Sequence, residues 1–304
     1  MNQQVLSHQR ILEECYILGD IIAKGQFSVV RKCLYKGKTE RACRIYRKGN
    51  VNTEKFIAHF DIITQIHHPN LISIFEAFET LHEIQIICER IKGEELFERI
   101  VTLGHYSEIE AANVLRSVLS ALECLHSKGI AHGDIRPESL LYQSYDSNAA
   151  LKLRDVSFSK FTPNTHTSIY IAPERDVVPT MAGDIWSLGV VLYIMLCGVE
   201  PDLQNMELTE ISPGFSVPLC EDTSLNAKSL IQQMLNVKPT ERITAKEALD
   251  NPWINGRENK VIHMETIVNK LKEFNARQKF RAATKVVLVT NKMGSSPYRR
   301  KEIR

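Results

Sequence analysis

Apolar positions alternate with polar ones along residues 16–47, and the run is broken by Lys24-Gly25-Gln26 and by Lys36-Gly37-Lys38. A period of two interrupted by glycine-centred turns predicts three short strands in a meander. Beyond them, Phe56, Ile57, Phe60, Ile63 and Ile66 recur at helical spacing after Asn52-Thr53, which offers a cap. His68-Pro69-Asn70 closes that helix, because the residue before a proline is pushed out of the helical region. Two further β-rich runs, 71–78 and 84–91, bring the first third of the chain to five strands and one main helix.

After Gly93 the period lengthens. Ser107 precedes a stretch, 107–128, in which Leu115, Val118, Leu119, Leu122 and Leu125 fall on one face. Residues 181–198 are apolar nearly all round, which predicts a buried helix at the centre of a second, mainly helical lobe. Pro201, Pro213, Gly214 and Pro218 make 199–223 a loop region, and helices are expected from Ser224 to Leu235 and near 244–250. The reading is an α+β, two-lobed chain: an extension over 1–12, one lobe over 13–91, another over 92–256, a helix over 257–291, and a disordered basic tail over 292–304.

Composition narrows the class only slightly. With 304 residues, 43 % hydrophobic and 24 % charged, the chain is that of an ordinary globular protein, and a net charge of +2 gives no reason to expect a nucleic-acid partner. Seven cysteines, none in a C-x-x-C pair, suit reduced thiols better than disulfides or zinc. The start lacks a signal-peptide core and a myristoylation glycine, and no apolar run approaches the length of a membrane span. A cytoplasmic protein is expected.

Five stretches then stand in one order: Ala23-Lys24-Gly25-Gln26-Phe27-Ser28-Val29-Val30, Ala42-Cys43-Arg44, His132-Gly133-Asp134 running to Ser139, Asp155-Val156-Ser157, and Ala172-Pro173-Glu174. Together with the runs around Asp184-Ile185-Trp186 and Glu241-Arg242-Ile243-Thr244, they resemble the protein kinase signature set over about residues 16–254. FSVVRKC, ERITAKEAL, NPW and LKEFNARQKF look like the calcium/calmodulin-dependent kinase II group, including the CASK-type domain.

The resemblance implies roles, and this chain departs from several of them. Phosphoryl transfer is positioning plus charge stabilisation: a backbone cradle for phosphates, a strand lysine held by a helix glutamate, two metal ligands and a catalytic carboxylate. The phosphate loop has Ala23 at its first glycine and keeps Gly25, with an ordinary hairpin turn as the competing reading. Arg44 replaces the strand lysine and His59 the partner glutamate, and a solvated or structurally paired strand arginine is favoured over a phosphate ligand for Arg44. Asp134 keeps the catalytic carboxylate position, Gly133 replaces the loop arginine, Arg136 the loop lysine, and Ser139 the metal-binding asparagine, as a weak ligand at best. Asp155 keeps the principal metal position, with Val156 and Ser157 altering its neighbours. Val30, Ala42 and Leu141 match the walls of the adenine site, Cys88, Glu89, Arg90 and Ile91 the hinge, and Glu95 the acid that reaches a ribose. Weak ATP binding, with or without a metal, is therefore open: the Asp155 carboxylate keeps a position that could bind Mg²⁺, while its altered backbone setting and Ser139 weigh against that ion. The groups that hold the fold are kept: Glu174 with Arg242, and Asp184 beneath the catalytic loop.

From Met264 the chain reads as a basic amphipathic helix, with Ile267, Val268, Leu271 and Phe274 at helical spacing. Its match to the family's autoinhibitory and calmodulin-binding segment implies calmodulin as a partner, through Phe274, Arg277, Lys279, Phe280, Arg281 and Val289. A helix docked on the lobe with a solvated basic face is the alternative. Thr266 stands at the family's regulatory threonine, but His263 replaces the basic arginine that would direct its phosphorylation. The first reading is a pseudokinase, a regulatory or scaffold module with further, unidentified protein partners. The second is a low-activity serine/threonine kinase using Asp134 and Asp155.

Overall fold

Five antiparallel strands form the upper sheet: β1 (Tyr16–Lys24), β2 (Ser28–Tyr35), β3 (Thr39–Arg47), β4 (Ile74–Glu79) and β5 (Glu83–Cys88), in the order β1-β2-β3-β5-β4. The computed structural model describes residues 12–25, 28–50, 56, 60–156, 169–174, 179–202, 223–256 and 264–294, the side chains of 50 and 282–294 excepted. The β2–β3 hairpin closes through Lys36 and Gly37, both at positive φ, as the turn chemistry predicts.

One face of this sheet packs on Phe56 and Phe60, which lie in helical backbone and meet Tyr46, Ile84 and Ile86. The opposite face packs Cys33, Cys43, Phe78 and Ile87 against Tyr16 and Leu12. Leu12, assigned by sequence to the extension, is thus a core residue of this lobe. The cap expected at Asn52-Thr53 and the residue His59 lie outside the described residues.

The lower lobe is helical. It contains α1 (Leu96–Leu103), α2 (Glu108–His126), α3 (Met181–Cys197), α4 (Leu225–Met234), α5 (Ala245–Leu249) and α6 (Glu265–Gly294). Ser107 caps α2, its hydroxyl accepting from Glu110 N–H, and α3 is buried along almost its whole length. Glu108, fully buried, accepts hydrogen bonds from Ser224 N–H and Oγ at 2.7 Å each and from Trp253 Nε1 at 2.9 Å. The expected loop at 199–223 falls largely outside the described residues. This is the two-lobed α+β arrangement, with a C-terminal helix, that the sequence led us to expect.

One expectation is corrected. Residues 71–73 do not open β4: Leu71 bridges Leu153, and Ile72 N–H donates to Leu153 O at 3.1 Å. The backbone there is drawn away to β7 (Leu151–Leu153), which pairs with β6 (Leu140–Tyr142), so the alternating pattern serves two different partners. Helix α6 runs to Gly294.

The lobes are stitched where the chain crosses between them. Glu89 accepts from Lys152 Nζ at 3.1 Å, Gln143 Nε2 at 2.9 Å and Ser73 N–H at 3.2 Å. A Cβ built on Gly93 would stand 2.3 Å from Tyr142 O and 2.5 Å from Ser144 O, so only glycine lets the crossing lie this close to the lower lobe.

Candidate active site

The catalytic loop is held from below. Asp184 of α3 accepts from His132 N–H and Gly133 N–H, each at 2.7 Å, and from His126 Nε2 at 2.9 Å. His132 in turn ties the loop to the end of β7: its Nε2 donates to Arg154 O at 2.7 Å, and its Nδ1 accepts from Asp134 N–H at 3.2 Å. Nearby, Arg242 grips Glu174 with two nitrogens at 2.7 and 2.9 Å. Such bidentate geometry fixes orientation as well as distance.

Above this frame, two aspartates each face an arginine. Asp134, about one-third exposed, meets Arg136 at 3.2 Å. Asp155 pairs with Arg44 across the cleft and with Arg154 Nε at 3.4 Å. Burial alone would raise the Asp155 carboxyl, but Arg44 and Arg154 outweigh it and hold the carboxyl below its usual range. Asp155 also sits at φ 68°, in the left-handed region, a backbone state that costs about 1 kcal/mol or more for a residue with a side chain. Arg44 itself reaches Tyr46 Oη at 3.4 Å, so its guanidinium is engaged on both sides. Val156 is buried, and Ser157 lies outside the described residues.

Ser139 is turned inward. Its hydroxyl donates to Arg136 O at 2.7 Å and accepts from Arg136 N–H at 3.1 Å. This closes the short 3-10 turn Pro137–Ser139, which explains why a serine is stable there.

The residues nominated for nucleotide binding lie in the upper sheet, along the crossing between the lobes, in β6 and just before α1. Ala23 pairs with Val30 and Val30 with Arg44, while Ala42, buried, pairs with Cys88. Gly25 donates its N–H to Ser28 O at 2.8 Å, so the amide closes a hairpin turn. Gln26 and Phe27 lie outside the described residues. Glu89 is committed to Lys152, Gln143 and Ser73, and the carbonyl of Ile91 accepts from Arg90 at 2.5 Å. Leu141 in β6 bridges Glu95 at the start of α1. Burial, with Glu138 and Glu98 beside it, pushes the Glu95 carboxyl above its usual range, against the pull of Arg154 and Lys279. At Cys88, burial pushes the thiol up to about 12.

Helix α6 leans on this lobe. Met264, Ile267, Val268, Leu271 and Phe274 are buried, and Phe274 meets Phe97 of α1 edge-on at 5.6 Å between ring centres. A Cβ on Gly198, at φ 72°, would stand 2.4 Å from Lys270 Cβ, which shows how closely α6 crosses the end of α3. Lys279 pairs with Glu98, while Gln278 at 3.1 Å and Arg281 at 3.2 Å both reach Glu200. Arg277 is exposed and Phe280 is 74 % exposed. Val289 lies in α6, its side chain outside the described set. Thr266 is exposed in the first turn.

Sequence reasoning passed over Arg154, Lys152, Glu98 and Glu200. For Arg154 a signal existed: a cation directly before the expected metal ligand. No helix among the described residues is long and apolar enough to cross a membrane.

Residues 16–254 match the protein kinase domain family. The chain is 34 % identical over 311 residues to calcium/calmodulin-dependent protein kinase type IV of Homo sapiens, covering 95 % of this chain and 65 % of that protein. The Rattus norvegicus protein of the same description is 35 % identical over 296 residues, 90 % of this chain and 61 % of that one. Calcium-dependent protein kinase 34 of Arabidopsis thaliana is 34 % identical over 294 residues, 89 % of this chain and 56 % of that one. The chain thus spans about three-fifths of the length of these curated relatives. By its signature stretches, its two-lobed fold and this match, the chain belongs to the protein kinase domain family, within the group related to calcium/calmodulin-dependent kinases.

Proposed function

We propose that this chain is a kinase-fold regulatory module in which phosphoryl transfer is impaired, which binds ATP weakly without magnesium, and whose C-terminal helix is a calcium/calmodulin target. The observation that carries the first part is the Asp155 carboxylate facing Arg44 and Arg154. A hard cation needs several oxygen ligands. Here the best-placed carboxylate is engaged by two guanidinium groups, and the Ser139 hydroxyl is bonded on both sides to Arg136 backbone. These engagements support a reading in which nucleotide binds without magnesium. Removing one preorganised electrostatic contact costs about 3 kcal/mol in other enzymes, and several positions differ here.

The test is a thermal shift with ATP in EDTA and in excess Mg²⁺, on wild type and Asp155→Asn. A shift of similar size in both buffers supports the reading. A shift that needs Mg²⁺ and disappears in Asp155→Asn defeats it.

A second reading, a low-activity serine/threonine kinase using Asp134 and Asp155, draws support from the catalytic loop, which Asp184 and His132 hold in full. Phosphate transfer to a basic protein substrate, abolished by Asp134→Asn, would establish it.

The calmodulin reading rests on the basic helix: Arg277, Lys279, Phe280 and Arg281 are exposed, whereas Phe274 is held by the lobe. Calmodulin would therefore have to draw Phe274 out of its contact with Phe97. The finer likeness to the type II and CASK-type domains, a cytoplasmic setting and further protein partners belong to the same proposal.

A further inference from the structure

We propose that two residues of the lower lobe, Lys152 and Gln143, are positioning residues for the base of a nucleotide: by fixing Glu89 they set its carbonyl to accept from the amino group of a 6-aminopurine. The inference rests on the nucleotide reading given above.

The crossing between the lobes is fastened along one side to β6 and the residue after it. Glu95 bridges Leu141, Tyr142 N–H donates to Glu94 O at 2.9 Å, and Lys92 N–H donates to Gln143 O at 3.0 Å. At the upper end, Glu89 is held by both its backbone N–H and its side chain. The N–H donates to Ser73 O at 2.8 Å, and the carboxylate accepts from Gln143 Nε2, Lys152 Nζ and Ser73 N–H. Gln143 thus holds both ends of the span 89–92, one through its side chain and the other through its backbone carbonyl.

Lys152 stands opposite Leu141 in the β6–β7 pair, so the two side chains rise from one face of that ribbon. It therefore reaches Glu89 from beside the residue nominated for the floor of the adenine site. The Lys152 and Glu89 side chains are only 9 % and 16 % exposed, and a pair this buried is little screened by salt.

What this frame leaves over is chemically specific. Among the described residues, the Glu89 carbonyl and the Ile91 N–H have no partner, while the Ile91 carbonyl already accepts from Arg90. Such an acceptor and donor match the edge of a 6-aminopurine, whose amino group donates beside a ring nitrogen that accepts. Hydrogen bonds weaken steeply as they bend. A loosened Glu89 would lose its bond to the amino group while the rest of the site stayed in place.

The test is calorimetric titration of the full chain in EDTA with adenosine and with purine riboside, the same nucleoside without its amino group. Wild type, Gln143→Ala, Lys152→Met and Lys152→Arg are compared. Wild type should prefer adenosine about fivefold, the worth of one hydrogen bond. Gln143→Ala and Lys152→Met should cut that preference to about twofold or less with purine riboside affinity unchanged, and Lys152→Arg should keep it. Because Gln143 is exposed, its variant decides the matter even where Lys152→Met fails to fold. A folded Gln143→Ala or Lys152→Met protein that keeps the full preference overturns the role of the residue replaced. Equal weakening of both nucleosides also overturns it, since the residue would then be merely structural. No preference in wild type overturns the inference and leaves the nucleotide reading standing. If wild type binds neither nucleoside, the inference fails, and a further titration with ATP tells whether the nucleotide reading fails with it.

Discussion

Replacing Phe97 by alanine should make α6 easier to remove without altering a single residue of α6. Phe97 is buried on α1, and its ring meets Phe274 at 5.6 Å and 73°, the edge-to-face geometry that aromatic pairs favour. Truncating a buried phenylalanine costs about 3–5 kcal/mol overall. Most of that falls on the lobe core, where Phe97 packs in any case. The share specific to α6 is the ring pair, about 1 kcal/mol. If calmodulin binds only the released helix, its apparent affinity scales with the released fraction. Weakening the docking by about 1 kcal/mol then raises calmodulin affinity about fivefold. Phe274→Ala loosens the same contact but also deletes a nominated anchor, so it should weaken calmodulin binding. Fluorescence titration with labelled calmodulin in calcium reads both variants, and hydrogen exchange of α6 amides reports docking directly. A Phe97→Ala protein that melts cooperatively, exchanges faster in α6 and yet binds calmodulin no more tightly would refute the competition between lobe and calmodulin.

Arg242→Ala should strand Glu174 without its two-pronged partner and lower stability by about 3–5 kcal/mol, measured by urea unfolding; a loss under 1 kcal/mol would contradict the burial argument. Glu108→Ala should cost about 2 kcal/mol or more by leaving Ser224 and Trp253 donors unmatched, with Glu108→Gln less damaging. Because the folded Asp155 carboxyl is depressed, its pairing contributes stability above the ordinary carboxylate pKa and loses it as pH falls below that. Asp155→Asn should therefore flatten the fall in stability during acid titration, and an unchanged acid slope would count against the pairing with Arg44 and Arg154.

The helices of the lower lobe were legible because their faces repeat every three to four residues and their caps stand in sequence, as Ser107 before α2 and Gly198 after α3 show. The ends of strands were less so. Alternation at 71–73 says that a backbone is extended, and cannot say whether it pairs with β5 or crosses to β7. The cleft was legible by position and opaque in its contacts. Arg44 and Asp155 could each be nominated from a motif, but their pairing depends on how β3 lies over the end of β7, which no local pattern encodes. Arg154 is marked in the sequence only by standing directly before Asp155. The alternative of a docked helix, weighed against a calmodulin segment, accounts for the apolar half of α6, while its basic half keeps the calmodulin reading open.

The tight crossing at Gly93 gives the two lobes a mechanical character. With the chain jammed against the loop after β6, and with Glu89 pinned by Lys152, the lobes are connected as a door is to its frame. A swing about that edge would carry Arg44 toward or away from Asp155. The Arg44 pairing then acts as a bolt across the opening, shut by the protein's own side chains.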